Sequence, residues 1–194
     1  MRKKSHIALA GFLVREMDDA NMQKHWKAFY FGSILPDLTP KMITDPHEFD
    51  SSYLELKRRI AKLLSEAREH ACKEGTLFCR LGVVMHYLAD YFTFPHNKTY
   101  PGTLKDHCTY EEKLKQDLRA FLKTEKAKQI GRDKDRDFTS LEDLFSYIKQ
   151  QQEAYLKKRS NVEKDIEHIV VINRQLVDAI SQLFHNNKSH HKMA

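Results

Sequence analysis

Helix breakers are scarce in this chain, and so are long apolar runs. Only 6 Gly and 5 Pro occur among 194 residues, while long stretches are rich in Leu, Ala, Glu, Lys, Gln and Arg, a composition that favours helix. No segment approaches the roughly 18 consecutive apolar residues that a membrane span needs. The 3 cysteines, Cys72, Cys79 and Cys108, show no C-x-x-C spacing and read as reduced thiols in a cytosol. A block of like charge is missing too. The net charge of +6 and pI of about 9.1 are spread along the chain, which admits an anionic partner without selecting one.

The start, "MRKKSHIALAGFLVREM", has the basic head and the Ala8-Leu9-Ala10 triplet of a secretion signal. Cutting there would leave almost no hydrophobic stretch upstream, and Arg15 and Glu16 interrupt the apolar run downstream. The expectation is a cytoplasmic protein. With 41% hydrophobic residues the chain suits one core. We expect one domain over residues 1–187 and a disordered tail over 188–194.

Apolar residues repeating at three and four places predict about six or seven helices. They run from Ser5 to Met17, from Met22 to Ser33, from Ser51 to Lys73, from Thr76 to Phe94 and from Leu104 to Lys128, with two more ending near Phe184. Gly32, Pro36 and Pro40 read as the stop of the second, and Gly75 as the stop of the third. The stretch from Thr76 to Phe94 is apolar nearly all round and belongs at the centre. Ser140 is placed to cap the helix that follows it, and Asp143 puts a carboxylate near that amino end. The fold class is all-α.

"LGVVMHYLADYFTFPHN" sets His86 and Asp90 four residues apart on that apolar helix, with His96 just beyond its end. Residues four apart share a helix face, so an imidazole and a carboxylate can reach one point. Both approach Zn²⁺ at about 2.0–2.2 Å. "HCTYEEKL" repeats the device with His107 and Glu111. Taken alone, His86 reads better as a hydrogen-bonded core histidine and His107 with Glu111 as an exposed helix pair. Two pairs within 26 residues, with His96 between them, point to metal, and burying Asp90 without a cation would be costly.

This order resembles the core of the zinc-dependent phospholipases C, the family of bacterial lecithinases, which is similar in architecture to fungal single-strand nucleases. "FYFGSILPDL" resembles the family's Gly-x-x-x-Pro-Asp segment and implies Asp37 as a ligand. His47 in "DPHEF" matches the histidine that follows, and His6 in "SHIALA" the early one. The resemblance spans about Ser5 to Lys115 and implies a helix bundle with a metal cluster between its helices. Asp37, His47, His86 and Asp90 would hold one zinc, and His96, His107 and Glu111 a second. Asp90 would bridge to a third that His6 binds, giving two or three Zn²⁺. In secreted members the mature amino terminus is itself a ligand. Here "MRKKS" precedes His6, so the expectation is a two-metal centre with His6 as an altered ligand.

The implied activity is phosphodiester hydrolysis of the phospholipase C type. Zinc-bound hydroxide would attack phosphorus, Asp37 would accept the proton, and a phospholipid would release its phosphorylated head group. No counterpart of the family's membrane-binding sandwich is expected, so any membrane-surface contact is expected to be transient. Two alternatives stand beside this reading: a single-strand nuclease or other phosphodiesterase, and a metal-binding helical protein without turnover. The sequence supplies no obvious stacking platform or basic groove, so no specific nucleic-acid partner is expected. Other helical metal folds fit worse: no His precedes an Asp as an adjacent pair, and Asp165-x-x-His168 is the nearest approach to a di-iron Glu-x-x-His motif. Asp133, Asp135 and Asp137 lack the glycine and glutamate of a calcium loop and read as a charged linker.

Overall fold

A computed structural model describes residues 1–39, 48–132, 138, 140–158 and 161–189, with helical side chains described as far as Leu183. Among these residues are nine α-helices and no strand. They are α1 (Lys3–Glu16), α2 (Ala20–Lys24), α3 (Trp26–Ile34), α4 (Phe49–Arg68), α5 (Glu74–Tyr91), α6 (Leu104–Phe121), α7 (Glu125–Gln129), α8 (Leu141–Leu156) and α9 (Val162–Ser189). Single 3₁₀ turns follow α3 (Pro36–Leu38) and α5 (Phe94–His96). The chain is all-α. None of these helices is long and apolar enough to cross a membrane.

The expected central helix is α5. Thirteen of its residues are buried, including every one from Leu81 to Tyr91. That all-round burial requires neighbours on every side. α3 packs along it most extensively, α4 and α9 flank it, and α1 lies across α3 and α6. Two glycines allow the α3–α5 contact. A Cβ on Gly32 would stand 1.9 Å from the Cys79 carbonyl oxygen, and one on Gly82 would stand 2.2 Å from that of Phe29. Backbone meets backbone here, and α5 therefore carries its polar residues into the dry middle of the molecule.

Polar side chains fix where the helices begin. Asp19 Oδ1 accepts from the backbone N–H of Asn21 and Met22 at the start of α2. Thr103 and Asp106 cap α6 reciprocally. Thr124 caps α7, and Ser140 accepts from the Asp143 N–H at 3.1 Å as the sequence suggests. Each such cap satisfies an N–H that the first turn leaves without a partner.

Three helix expectations need correction. The segment from Met22 to Ser33 is two helices, because the chain leaves helical geometry at His25 and Asp19 starts a separate short one. Gly32 does not stop α3, which continues to Ile34; it is the point of closest approach to α5. The helix expected from Ser51 to Lys73 ends at Arg68, where His70 takes a left-handed conformation (φ 51°) and the Ala71 N–H reaches the Glu66 carbonyl at 3.0 Å. This is the usual geometry of a glycine-terminated helix end, with histidine in the glycine's place. Gly75 lies in the first turn of α5. The segment from Leu104 to Lys128 likewise divides at residues 122–124, where Thr124 begins a new short helix. Asp133, Asp135 and Asp137 lie outside the described residues, as do residues 190–194.

Candidate metal centre

His86 and Asp90 are completely buried on the inner face of α5. His86 Nδ1 lies 2.9 Å from the Ser33 carbonyl oxygen on α3. A carbonyl can only accept, so Nδ1 carries a proton and Nε2 is the nitrogen turned towards the centre. Nε2 faces two carboxylates: Asp90 Oδ2 at 3.2 Å and Asp37 Oδ1 at 3.8 Å. Asp37 comes from the 3₁₀ turn after α3. His6, on α1 and also fully buried, stacks on the His86 ring with centroids 3.9 Å apart. His6 Nε2 lies 3.3 Å from Asp90 Oδ1 but lacks hydrogen-bond geometry, and Nδ1 has no partner among the described residues. Lone pairs aimed at carboxylate oxygens repel unless a cation lies between them. The donors fit a metal ion.

A second group adjoins the first. His107 Nε2 and His96 Nε2 lie 3.2 Å and 3.1 Å from the same atom, Glu111 Oε1. His96 Nδ1 looks back to Asp90 Oδ2 at 3.9 Å. The sets His6, His86, Asp90 and His96, His107, Glu111 each bring one ligand atom per residue within 4.8 Å of the others. The first set is buried and the second half-buried. His47 lies outside the described residues.

The Met1 amino group occupies the space between the sets, a placement that the expected two-metal centre did not include. It lies 2.5 Å from Asp90 Oδ1, 2.8 Å from His96 Nε2 and 3.2 Å from Glu111 Oε1. As an ammonium it supplies the positive charge that these carboxylates require. Arg2 fixes the segment by pairing with Glu112 and donating to the Cys108 carbonyl at 3.2 Å. No composition or spacing signal marks a backbone amine; only the family resemblance hinted at it.

Asp165 was also missed, having been weighed only as a poor di-iron motif. Buried on α9, it accepts from the Phe94 N–H, the Tyr110 hydroxyl and the Tyr155 hydroxyl, each at 2.8 Å. Those bonds tie the turn that carries His96 to α6 and α8. Gln152 secures the next residue through Asn97 Oδ1 at 2.8 Å. Tyr91 and Phe92 are fully buried core.

Burial and charge set the protonation of the centre. Burial and then the neighbouring His86 push His6 down to about 3 from an ordinary 6.5. Burial, followed by the Met1 amine, lowers His96, so both rings are neutral and able to ligate. Burial alone would raise Asp90 and Glu111; the Met1 ammonium outweighs it and holds Asp90 well below the carboxylate range, and the His96 bond and the ammonium do the same for Glu111. Burial opposes charge on the Met1 amine, but Asp90 and Glu111 outweigh it and raise it above its ordinary 8.0.

The signs of these shifts predict the pH stability of the metal-free protein. Depressed His6 costs stability as pH falls from 6.5 towards 3, where the unfolded chain takes up a proton that the folded one refuses. Depressed Asp90 adds to that loss below its ordinary 3.8. The raised Met1 amine contributes fully below 8.0 and loses its contribution as pH rises through its folded value. Urea unfolding in EDTA should therefore give highest stability between about pH 6.5 and 8, with a decline on both sides. A flat profile from pH 5 to 10 would refute the buried ammonium–carboxylate pair.

The centre opens into a cleft of about 540 Å³ in which Met1, Asp37, His96 and Glu111 meet Arg2, Lys3, Lys4 and Lys115. No curated protein and no solved structure matches the chain. The family model described as zinc dependent phospholipase C matches residues 5–162, a span that holds His6, Asp37, His86, Asp90, His96, His107 and Glu111. By that match the chain belongs to the zinc dependent phospholipase C family.

Proposed function

We propose that this protein is a zinc-dependent phosphodiester hydrolase that cleaves phospholipids in the manner of a phospholipase C, with residues 1–187 acting as one domain. The convergence of two sets of three donors, buried imidazole nitrogens facing carboxylates, carries the reading. His6, His86 and Asp90 would hold one ion, with Asp37 at its edge and His47 from the adjoining segment. His96, His107 and Glu111 would hold a second, and the Met1 amine, once deprotonated, could ligate either. Zinc, when bound, would acidify water and offset the charge of the diester.

The chain's own groups do the rest. The imidazoles of His6, His86, His96 and His107, with His47 as a fifth, and the carboxylates of Asp37, Asp90 and Glu111 would set the charge and orientation of the centre. Ser33 fixes the His86 tautomer. Asp37 is 11% exposed at its carboxylate and lines the cleft, where the substrate must enter. It takes the proton from the attacking water as the new oxygen–phosphorus bond forms. The bond from phosphorus to the glycerol oxygen then breaks, and that oxygen takes up the proton held on Asp37, giving diacylglycerol and a phosphorylated head group.

Two measurements test this. Metal analysis after dialysis should count at least two zinc ions per chain, and bis(p-nitrophenyl) phosphate and a phosphatidylcholine analogue should be hydrolysed with zinc but not with EDTA. Zinc without hydrolysis of any diester would select the non-catalytic alternative, and faster cleavage of single-stranded DNA the nuclease. Asp37→Asn should keep its zinc yet lose about 10²-fold in kcat, the usual contribution of a positioned base. Full turnover in that variant would remove Asp37 from the proton transfer.

A further inference from the structure

The cleft carries more positive charge than metal binding explains. Besides the donors it gathers Arg2, Lys3, Lys4 and Lys115 from α1 and α6. Arg2 and Lys115 share one carboxylate, that of Glu112, with Lys115 Nζ at 2.6 Å. Lys3 and Lys4 are exposed, and no carboxylate is paired with either among the described residues. Four cations thus stand against two acids outside the donor sets, Asp37, which faces His86, and Glu112. The first turn of α1 has no acidic residue, although a helix start disfavours cations and favours anions. Charge is concentrated here against local helix preference, in the same cleft as the metal donors.

That distribution bears on which phospholipid fits. A choline head group brings a quaternary ammonium, which proteins hold with aromatic faces or carboxylates. Among the described residues the cleft has no Phe, Tyr or Trp, and its two acids, Asp37 and Glu111, already face the histidines. Lys3 and Lys4 would repel such a group. A head group without a cation meets only attraction.

Nucleic acid is anionic as well, but bases need stacking surfaces that the cleft lacks. Apolar side chains flank the site instead. Leu38, next to Asp37, is 50% exposed, and Leu104, one turn before His107, is 80% exposed. Bare leucines beside lysines suit the surface of an acidic membrane.

We infer that the cleft selects acidic phospholipids, whose head groups carry no cation, over zwitterionic ones, with Lys3 and Lys4 as the specificity residues. The inference rests on the hydrolase reading above, but its test does not need turnover. Phosphonate analogues of glycerophosphoglycerol and glycerophosphocholine, with methylene in place of the scissile oxygen, are titrated into the zinc-supplemented full chain by calorimetry. The glycerol analogue should bind at least tenfold more tightly, and raised salt should shrink the difference. In K3A/K4A the preference should fall below threefold. K157A/K158A, which removes the same charge outside the cleft, should keep it.

Hydrolysis of bis(p-nitrophenyl) phosphate, followed in parallel, reports the hydrolase reading separately. If that diester is inert while the binding preference holds, the chemistry fails and the selectivity stands. Equal binding of the two analogues, binding of neither, or a preference lost equally in both variants overturns the selectivity. So does tighter binding of a ten-nucleotide oligothymidylate than of the glycerol analogue.

Discussion

Asp90→Asn should cost at least one zinc per chain and about 10³-fold in diester hydrolysis, roughly 4 kcal/mol of transition-state stabilisation. Asp90 touches both halves of the centre. Its Oδ1 meets Met1 and His6, and its Oδ2 meets His86 and His96. Asparagine keeps the shape but removes the charge that would bind metal, and its NH₂ would donate where a lone pair is needed. Losing one partner of a buried pair ordinarily destabilises by about 3–5 kcal/mol. Here the Met1 ammonium keeps Glu111 at 3.2 Å and can also shed its proton, at about 1.4 kcal/mol for each pH unit below its ordinary value. The metal-free variant should therefore lose nearer ~2 kcal/mol than 5. Zinc counting and urea unfolding in EDTA separate the two effects. Full zinc content together with turnover within tenfold of the parent would remove Asp90 from the metal centre.

The legibility of this site follows from what spacing can encode. His86 with Asp90, and His107 with Glu111, lie one turn apart on single helices, so local periodicity is enough to put each pair on one face. His6 is different: it reaches Asp90 only because α1 crosses near α5, and no periodicity in α1 distinguishes it from a packed histidine. The Met1 amine and the Ser33 carbonyl are backbone atoms, and side-chain pattern carries no information about either. Asp165 was visible but misjudged, because its partners, Phe94, Tyr110 and Tyr155, come from three other segments. Of the cations at the cleft, Arg2, Lys3 and Lys4 are neighbours in the sequence and read there only as the basic head of a signal; folding adds Lys115 and sets all four beside the donors.

The helices were legible for a related reason, and their breaks were not. α5 and α9 are long and strongly patterned, so their existence survives any uncertainty at the ends. The interruption at residues 122–124 arises from the Thr124 cap, which competes with helix continuation at a single bond, and the one at His25 has no side-chain cap at all. Nothing in a run of helix-favouring residues announces that a threonine will turn inward to cap the next segment. Glycine gave the most misleading signal. A sequence shows glycine as a breaker, yet its lack of a Cβ serves two different ends, freedom of turning and closeness of approach.

Gly82→Ala tests which of these applies, and should destabilise the protein by about 3 kcal/mol or more, the upper range for forcing atoms into a filled core. Helix propensity alone predicts the opposite, a gain of about 1 kcal/mol for alanine over glycine inside a helix. The contact decides the sign. An added Cβ would lie 2.2 Å from the Phe29 carbonyl oxygen and 2.8 Å from the Ser33 nitrogen. Both obstacles are backbone, so no side chain can rotate away and α3 must move off α5. For a chain of this size, 3 kcal/mol corresponds to a fall of about 6–12 °C in Tm. The same displacement carries the Ser33 carbonyl away from His86 Nδ1, now 2.9 Å distant. His86 would then lose the bond that fixes its tautomer, and zinc affinity should drop about 10- to 100-fold, as when other such orienting partners are removed. Gly75→Ala provides the contrast, since a Cβ there meets only the His25 ring at 3.6 Å, an ordinary contact. It should leave zinc affinity unchanged and Tm equal or higher. If Gly82→Ala matched it in both, the close crossing of α3 and α5 would not be what holds His86 in register.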